Sequence, residues 1–372
     1  MKIYRVGGSV RDELLGLKSN DRDYVVVGSN PDEMLKLGFK SVGKDFPVFL
    51  HPKTREEYAL ARRERKIAKG YTGFQFDTNA FISLEDDLLR RDITINAIAI
   101  DEETDQIIDP FHGVDDLRKG IIRHVSEAFI EDPLRILRVA RFSARFNFKI
   151  ASETLDLMKQ ITKSGELNAL SKERIWQEFE RAFKNKNPDI FLIVLHQVGA
   201  LSIICPEIDD LISLNHQQLF NYLNDKTINN LGACEIFALI AYLIEINTPH
   251  SMLKSLLAPN KFITLAKLVI NVYPQVITFE KLTPDQILAL IKKIDPKRKK
   301  DRFNLFLKII NLLAKFDSSL TITKNINLLM LMIKSMNNID YYALSLESPS
   351  IVKNIYAKKI DIILNVLLNN KV

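Results

Sequence analysis

A chain of 372 residues, 47% hydrophobic and 26% charged, is long enough for two or three modules, each with its own core. No apolar run approaches the ~20 residues of a membrane-spanning helix. The two cysteines, Cys205 and Cys234, lack metal-ligand spacing, which points to free buried thiols of a reducing compartment rather than a disulfide framework.

Lys2-Ile3-Tyr4-Arg5-Val6 reads as a strand, Gly7-Gly8 as a turn, and residues 10–17 as an amphipathic helix carrying Arg11 in its first turn. Such a turn presents backbone N–H groups where an anion is welcome. Asp21 and Asp23 lead into the β-branched run Tyr24-Val25-Val26-Val27. If both open that strand, their carboxylates share one face, and two hard oxygen ligands suit magnesium shared with substrate phosphates. Taken singly, a Gly-Gly pair is a tight turn and an Asp-x-Asp a solvated loop. Their order and closeness place phosphate contacts and a metal clamp on adjacent strands.

Further strands are expected at residues 57–61 and 94–100, with a shorter piece near 48–50. The basic loop at residues 62–72 reads equally as a cover over the site or as a solvated charge run. His51, His112 and His124 lie in this first third without ligand spacing. Beyond Glu127 apolar residues recur at helical spacing, as in Leu155-Met158-Ile161 and Ile175-Phe179-Phe183, and strand alternation disappears. Trp176 belongs to the second of these apolar stripes and is assigned to packing. Pro and Asn clusters near 185–188, 248–249 and 295–296 punctuate the helices.

The formal charge of +6 permits a polyanionic partner. Arginine concentrates at 62–65, at 90–91 and after Pro133, whereas lysine is spread along the second half. The arginine fork suits phosphates and base edges. At ~100° per residue, Arg135, Arg138, Arg141 and Arg145 fall within an arc of roughly 120°, which is either a solvated basic face or a stripe aimed at one site. Asp132, before Pro133 at the helix start, occupies a cap position from which its carboxylate and Arg135 can face one site.

Gly7-Gly8-Ser9-Val10-Arg11-Asp12 with Asp21-Arg22-Asp23 resembles the signature of class II nucleotidyltransferases of the polymerase-β superfamily, which includes bacterial CCA-adding enzymes and poly(A) polymerases. Four further segments match in the expected order: Arg90-Arg91-Asp92-Ile93-Thr94-Ile95-Asn96-Ala97, Ile108-Asp109-Pro110, Glu131-Asp132-Pro133-Leu134-Arg135, and Ser171-Lys172-Glu173-Arg174-Ile175-Trp176. The resemblance implies an α+β fold with a small mixed-sheet catalytic head at 1–123, a helical neck at 124–190 that recognises the base, and a helical body and tail at 191–372 that binds tRNA. It implies that Asp21 and Asp23 hold Mg2+, that Gly8, Arg11 and Arg91 position the triphosphate, that Asp132 and Arg135 read the base edge, and that Arg138 and Arg141 engage nucleotide phosphate or sugar.

The function implied is template-independent addition of the 3′-terminal CCA to tRNA from CTP and ATP in the cytoplasm, with no obligatory protein partner. A poly(A) polymerase, an enzyme adding only A or only CC, and a decayed RNA-binding relative are the alternatives. No His-Asp pair occurs in the sequence, so the phosphohydrolase activities of longer relatives are not expected.

Overall fold

The computed structural model describes residues 1–18, 22–42, 48–66, 74–77, 79–247, 255–317, 320–340 and 351–370. The chain divides into two compact units, Met1–Pro206 and Glu207–Val372.

The first unit opens with β1 (Lys2–Val6), α1 (Gly8–Leu14), β2 (Asp23–Val27), α2 (Pro31–Lys36), β3 (Lys40–Val42), β4 (Val48–Leu50) and β5 (Glu57–Leu60). A hairpin follows, β6 (Arg63–Lys66) with β7 (Phe74–Asp77), and then α3 (Leu84–Leu89), β8 (Ala99–Asp101), β9 (Ile107–Ile108), α4 (Gly113–Lys119) and β10 (Ile121–Ile122). Among the described residues seven strands form one mixed sheet in the order β3-β4-β5-β2-β1-β8-β9. The β2–β5 pair is parallel and the others antiparallel.

β1 and β2 sit in the middle of this sheet, and their register sets up the site. Lys2 pairs with Val27 and Val6 with Asp23, so the strand end that runs into Gly7 lies directly opposite Asp23. Tyr4, Val6 and Val25 pack into one apolar cluster with Leu88 and Ala99; Tyr24 and Val26 pack into another with Met34, Phe49 and Tyr58. Both sheet faces are therefore covered, which is why residues 24–26 are apolar without alternation.

The expected strand at 94–100 is corrected. Residues Thr94–Asn96 form a 3-10 turn, and pairing with β1 begins at Ala99. Polar side chains compel the turn: the Thr94 hydroxyl donates to Asp116 at 2.8 Å, and the Asn96 amide donates to Asp92 at 2.9 Å. The first helix also stops at Leu14 rather than 17. The short strands β3, β6, β7 and β9 were not expected, and the segment joining β6 to β7, which holds most of the basic loop, lies outside the described residues.

The rest of the first unit comprises α5 (Leu134–Phe146), β11 (Lys149–Ile150), α6 (Ser152–Lys163), α7 (Lys172–Phe183), α8 (Pro188–Gln197) and α9 (Ala200–Ile204). β11 pairs in parallel with β10, a small strand contact beyond the point where only helices were expected. Trp176 is buried on α7, and α5 packs against both α7 and α8.

The second unit is helical: α10 (Pro206–Leu223), α11 (Ala233–Asn247), α12 (Asn260–Ile277), α13 (Pro284–Ile294), α14 (Lys300–Phe316), α15 (Leu320–Asn337) and α16 (Ile351–Asn369). α11 is apolar nearly all round and packs against α12 and α14 at the centre of the unit. Asp295 ends α13 in the left-handed region, at one of the expected breaks; the break at 248–249 lies outside the described residues. Neither cysteine is in a disulfide; Cys205 is buried as expected, whereas Cys234 is only half-buried. No helix among the described residues is long and apolar enough to cross a membrane.

One glycine is fixed by a close approach. A β-carbon on Gly113, at the start of α4, would lie 2.2 Å from the Thr94 carbonyl oxygen of the 3-10 turn. Gly113→Ala is expected to destabilise the first unit by about 1–3 kcal/mol, the usual cost of overpacking. Denaturant unfolding measures it, and an unchanged midpoint would contradict the close packing of α4 on residues 94–96.

Candidate functional site

Five segments of the first unit converge on a cavity of about 730 Å3: the Gly-Gly turn with α1, the start of β2, residues 90–96, and the cavity-facing sides of α5 and α7. Its lining includes nine arginines (Arg11, Arg90, Arg91, Arg135, Arg138, Arg141, Arg145, Arg174 and Arg181) and three aspartates, Asp23, Asp92 and Asp132. The excess of guanidinium over carboxylate makes it a receptor for a polyanion.

Gly7 has φ +72°, and a β-carbon there would meet the Arg91 guanidinium at 2.9 Å. The turn therefore needs glycine for its conformation and for the space that Arg91 uses. Arg91 donates to Asp87 at 3.1 Å and to the Asn96 carbonyl at 3.2 Å. It thus borders the cavity while forming the ion pair with Asp87. Burial opposes ionisation of Asp87, yet Arg90 and Arg91 hold its pKa below the ordinary carboxylate value. Arg11 is 3% exposed; its guanidinium donates to Asp12 at 2.7 and 2.9 Å and to the Asn96 side-chain oxygen.

The arginine stripe of α5 is not a solvated face. Arg135 donates to the carbonyls of Ala128 and Arg90, Arg138 to Asp92 at 2.8 Å, Arg141 to Glu178 of α7, and Arg145 to Asp12 at 2.8 Å. Phe142 lies beneath Arg141, with 4.2 Å from guanidinium carbon to ring centroid, and beneath Arg11 at 5.2 Å. Phe146 carries Arg11 and Arg145 in the same way. The expected cap position is corrected: Pro133 is the N-cap of α5, and Asp132 lies one residue before it, where one oxygen accepts the Leu134 N–H at 3.0 Å and the other accepts Arg174 at 3.2 Å.

Of the residues predicted from sequence, Gly8, Arg11, Asp23, Arg91, Asp132, Arg135, Arg138 and Arg141 all border this cavity, and Asp21 lies outside the described residues. The sequence reading missed Asp12, Asp92, Asn96, Arg174 and Glu178. Their signal was present as acids and amides inside the arginine motifs, but spacing alone does not say which of them is buried. Asp92 is the clearest case. Burial by itself would raise its pKa, but the Arg138 guanidinium and hydrogen bonds from Asn96 and Arg138 outweigh that and hold it far below the carboxylate range.

Among the described residues no group of three or more His, Cys, Asp or Glu side chains could hold a metal. Asp23 is an exposed carboxylate at the cavity edge. One or two carboxylates completed by substrate phosphates is how magnesium is commonly bound, so this donor set fits a metal that arrives with a triphosphate. A second cavity, of about 410 Å3 between α13 and α15 in the second unit, has an apolar floor and contains none of the predicted site residues.

Residues 3–123 match the family model described as the poly A polymerase head domain, and residues 147–212 match one described as a probable RNA and SrmB-binding site of polymerase A. The chain is 44% identical over 337 residues to the multifunctional CCA protein of Nitrosomonas europaea, covering 82% of each chain. It is 44% identical over 348 residues to that of Haemophilus influenzae, covering 83% of each. The structure is similar over 99% of this chain, and 91% of the other, to the Thermotoga maritima CCA-adding enzyme complexed with tRNA, with a TM-score of 0.66 at 24% identity.

The chain belongs to the bacterial CCA-adding enzymes. It is a tRNA nucleotidyltransferase, and its reaction is template-independent CCA addition. The nucleotidyltransferase family uses a divalent metal. In this CCA-adding enzyme the cavity described above joins the sheet of the head to the arginine helix α5.

Asp92→Asn removes one partner of a buried ion pair and is expected to cost about 3–5 kcal/mol at pH 7. Because the folded-state pKa of Asp92 is depressed, its contribution is present above the unfolded value of ~3.9 and is lost as pH falls through the folded-state value. The gap between wild type and variant should therefore narrow below about pH 4. Denaturant unfolding at pH 7 and pH 3 tests this, and an equal gap at both would show that Asp92 is not a charged partner of Arg138.

Proposed function

We propose that this CCA-adding enzyme selects CTP and ATP with Asp132 and Arg135 and performs transfer at Asp21 and Asp23 with Mg2+. The observation that carries the reading is the meeting of Asp23, Asp132 and nine arginines at one cavity. CTP, ATP and tRNA appear in solved CCA-adding enzymes of the same fold, and we carry them over as the ligands of this chain. Residues 1–123 would serve as the catalytic head, 124–190 as the neck that reads the base, and 191–372 as the body and tail that bind tRNA, with the cytoplasm as the place of action.

Asp21 and Asp23 would hold magnesium, which when bound lowers the pKa of the RNA 3′-hydroxyl and neutralises the pyrophosphate. Gly8 leaves room for the triphosphate beside Arg11 and Arg91, whose guanidinium groups orient it for in-line attack at the α-phosphorus. Arg138 and Arg141 meet its phosphates or sugar. No protein nucleophile takes part. Asp132 offers acceptors, and Arg135 offers donors held by two backbone carbonyls. That pair matches the amino group and ring nitrogen of cytosine or adenine and leaves uracil and guanine mismatched.

Asp21→Ala and Asp23→Ala are each expected to lower transfer about 10³-fold or more, the equivalent of several kcal/mol of lost metal stabilisation, with tRNA affinity nearly unchanged. Extension of tRNAs ending before the CCA, after one C and after two, resolved at single-nucleotide length, measures this; normal turnover in both variants would remove the metal assignment. Arg135→Ala should relax nucleotide choice by about 10- to 100-fold. Unchanged rejection of UTP and GTP would count against base reading by side chains.

A further inference from the structure

We propose that Arg174 of α7 is a positioning residue for nucleotide choice, holding the Asp132 carboxylate in the orientation that reads the base. The proposal rests on the reading of Asp132 and Arg135 given above and assigns to Arg174 the part that makes that reading selective.

Asp132 sits in extended backbone just before α5, with φ −117° and ψ 104°. Its Oδ1 accepts the Leu134 N–H at 3.0 Å, a local bond two residues away. The second torsion of an aspartate side chain is broad, so one local bond leaves the carboxylate plane free to swing. The Arg174 guanidinium, reaching from a different helix, donates to Oδ2 at 3.2 Å. Two anchors from two elements fix the plane.

The chemistry requires that fixation. An ionised carboxylate is acceptor-only and has about four lone-pair positions. With two filled by Leu134 and Arg174, the other two can be aimed at a base. Aimed correctly, they accept the exocyclic amino group of cytosine or adenine and repel the carbonyl oxygen that uracil or guanine carries there. A carboxylate free to turn away loses the repulsion and with it the discrimination.

Arg174 is well placed to act as the anchor. Its backbone N–H is capped by the Ser171 hydroxyl, and the neighbouring Ile175, Trp176 and Phe179 are buried. The same helix holds Arg141 through Glu178, so α7 grips the arginine helix side of the cavity at two points. The Asp132 and Arg174 side chains are each 23% exposed, dry enough for an ion pair to hold geometry that a fully solvated pair would not.

The test compares kcat/KM for CTP against UTP on tRNA lacking CCA, and for ATP against GTP on tRNA ending in CC. It uses the full-length enzyme, Arg174→Gln, Asp132→Asn and the double variant, with thermal melting and tRNA affinity measured alongside. Arg174→Gln should lower both ratios about tenfold while melting and tRNA affinity stay at wild-type values. The double variant should discriminate no worse than Asp132→Asn. Wild-type ratios in Arg174→Gln, with ratios lowered in Asp132→Asn, would overturn the role of Arg174 and leave base reading standing. Wild-type ratios in Asp132→Asn would overturn base reading itself. Should Arg174→Gln fail to fold, Arg174→Met, which keeps the apolar stem and loses the donors, gives the same comparison.

Discussion

Everything in the first unit is arranged around one electrostatic problem: nine like charges border a single cavity. Guanidinium groups cannot be deprotonated to relieve their repulsion, so they are held by fixed acceptors behind them, two backbone carbonyls for Arg135 and carboxylates for most of the others. Asp12 serves Arg11 and Arg145, Asp87 serves Arg90 and Arg91, Asp92 serves Arg138, and Glu178 serves Arg141. In every pair but Arg11–Asp12 the carboxylate is the more deeply buried member, with Asp87 at 0% and Glu178 at 2% exposure. The guanidinium groups are left nearer the cavity, and the aromatic rings of Phe142 and Phe146 support them without adding charge. The cavity thus keeps a net positive field, and a triphosphate meets donors whose positions are already set.

That arrangement explains what could and could not be read from the sequence. The Gly-Gly turn, Asp23 and the β-branched strand were legible because they are contiguous and because the strand period fixes which residues share a face. The arginine stripe was legible as a periodicity, but not as a set of ion-paired side chains. Its pairing depends on partners distant along the chain: Asp12 meets Arg145 across 133 residues, Asp92 meets Arg138 across 46, and Glu178 meets Arg141 across 37. No local pattern announces such pairs. Residues 94–96 misled for the opposite reason. Ile93, Ile95 and Ile98 give an apolar signal of strand type, whereas Asp92, Thr94 and Asn96 spend their side chains on a turn.

The same long-range pairs bear on how base choice is tied to catalysis. The proposed reader of the base, Asp132, stands at the start of α5, while the proposed metal ligand Asp23 stands at the start of β2 in the sheet. A misplacement of 1 Å between them would cost about 10²-fold in rate, so the two must be held as one body. Asp12–Arg145 and Asp92–Arg138 do this at two points along the helix: Asp12 projects from α1 and Asp92 from the segment after α3, and each grips an arginine of α5. Asn96 joins the two clamps, because its amide donates to Asp92 while its oxygen accepts from Arg11, which is itself paired with Asp12. The sheet and the arginine helix therefore fall within one compact unit, Met1–Pro206. A sequence boundary drawn at residue 123 separates composition but not mechanics, because the polar network on which base choice and transfer both depend crosses it at every arginine of the stripe from Arg135 to Arg145 except Arg141.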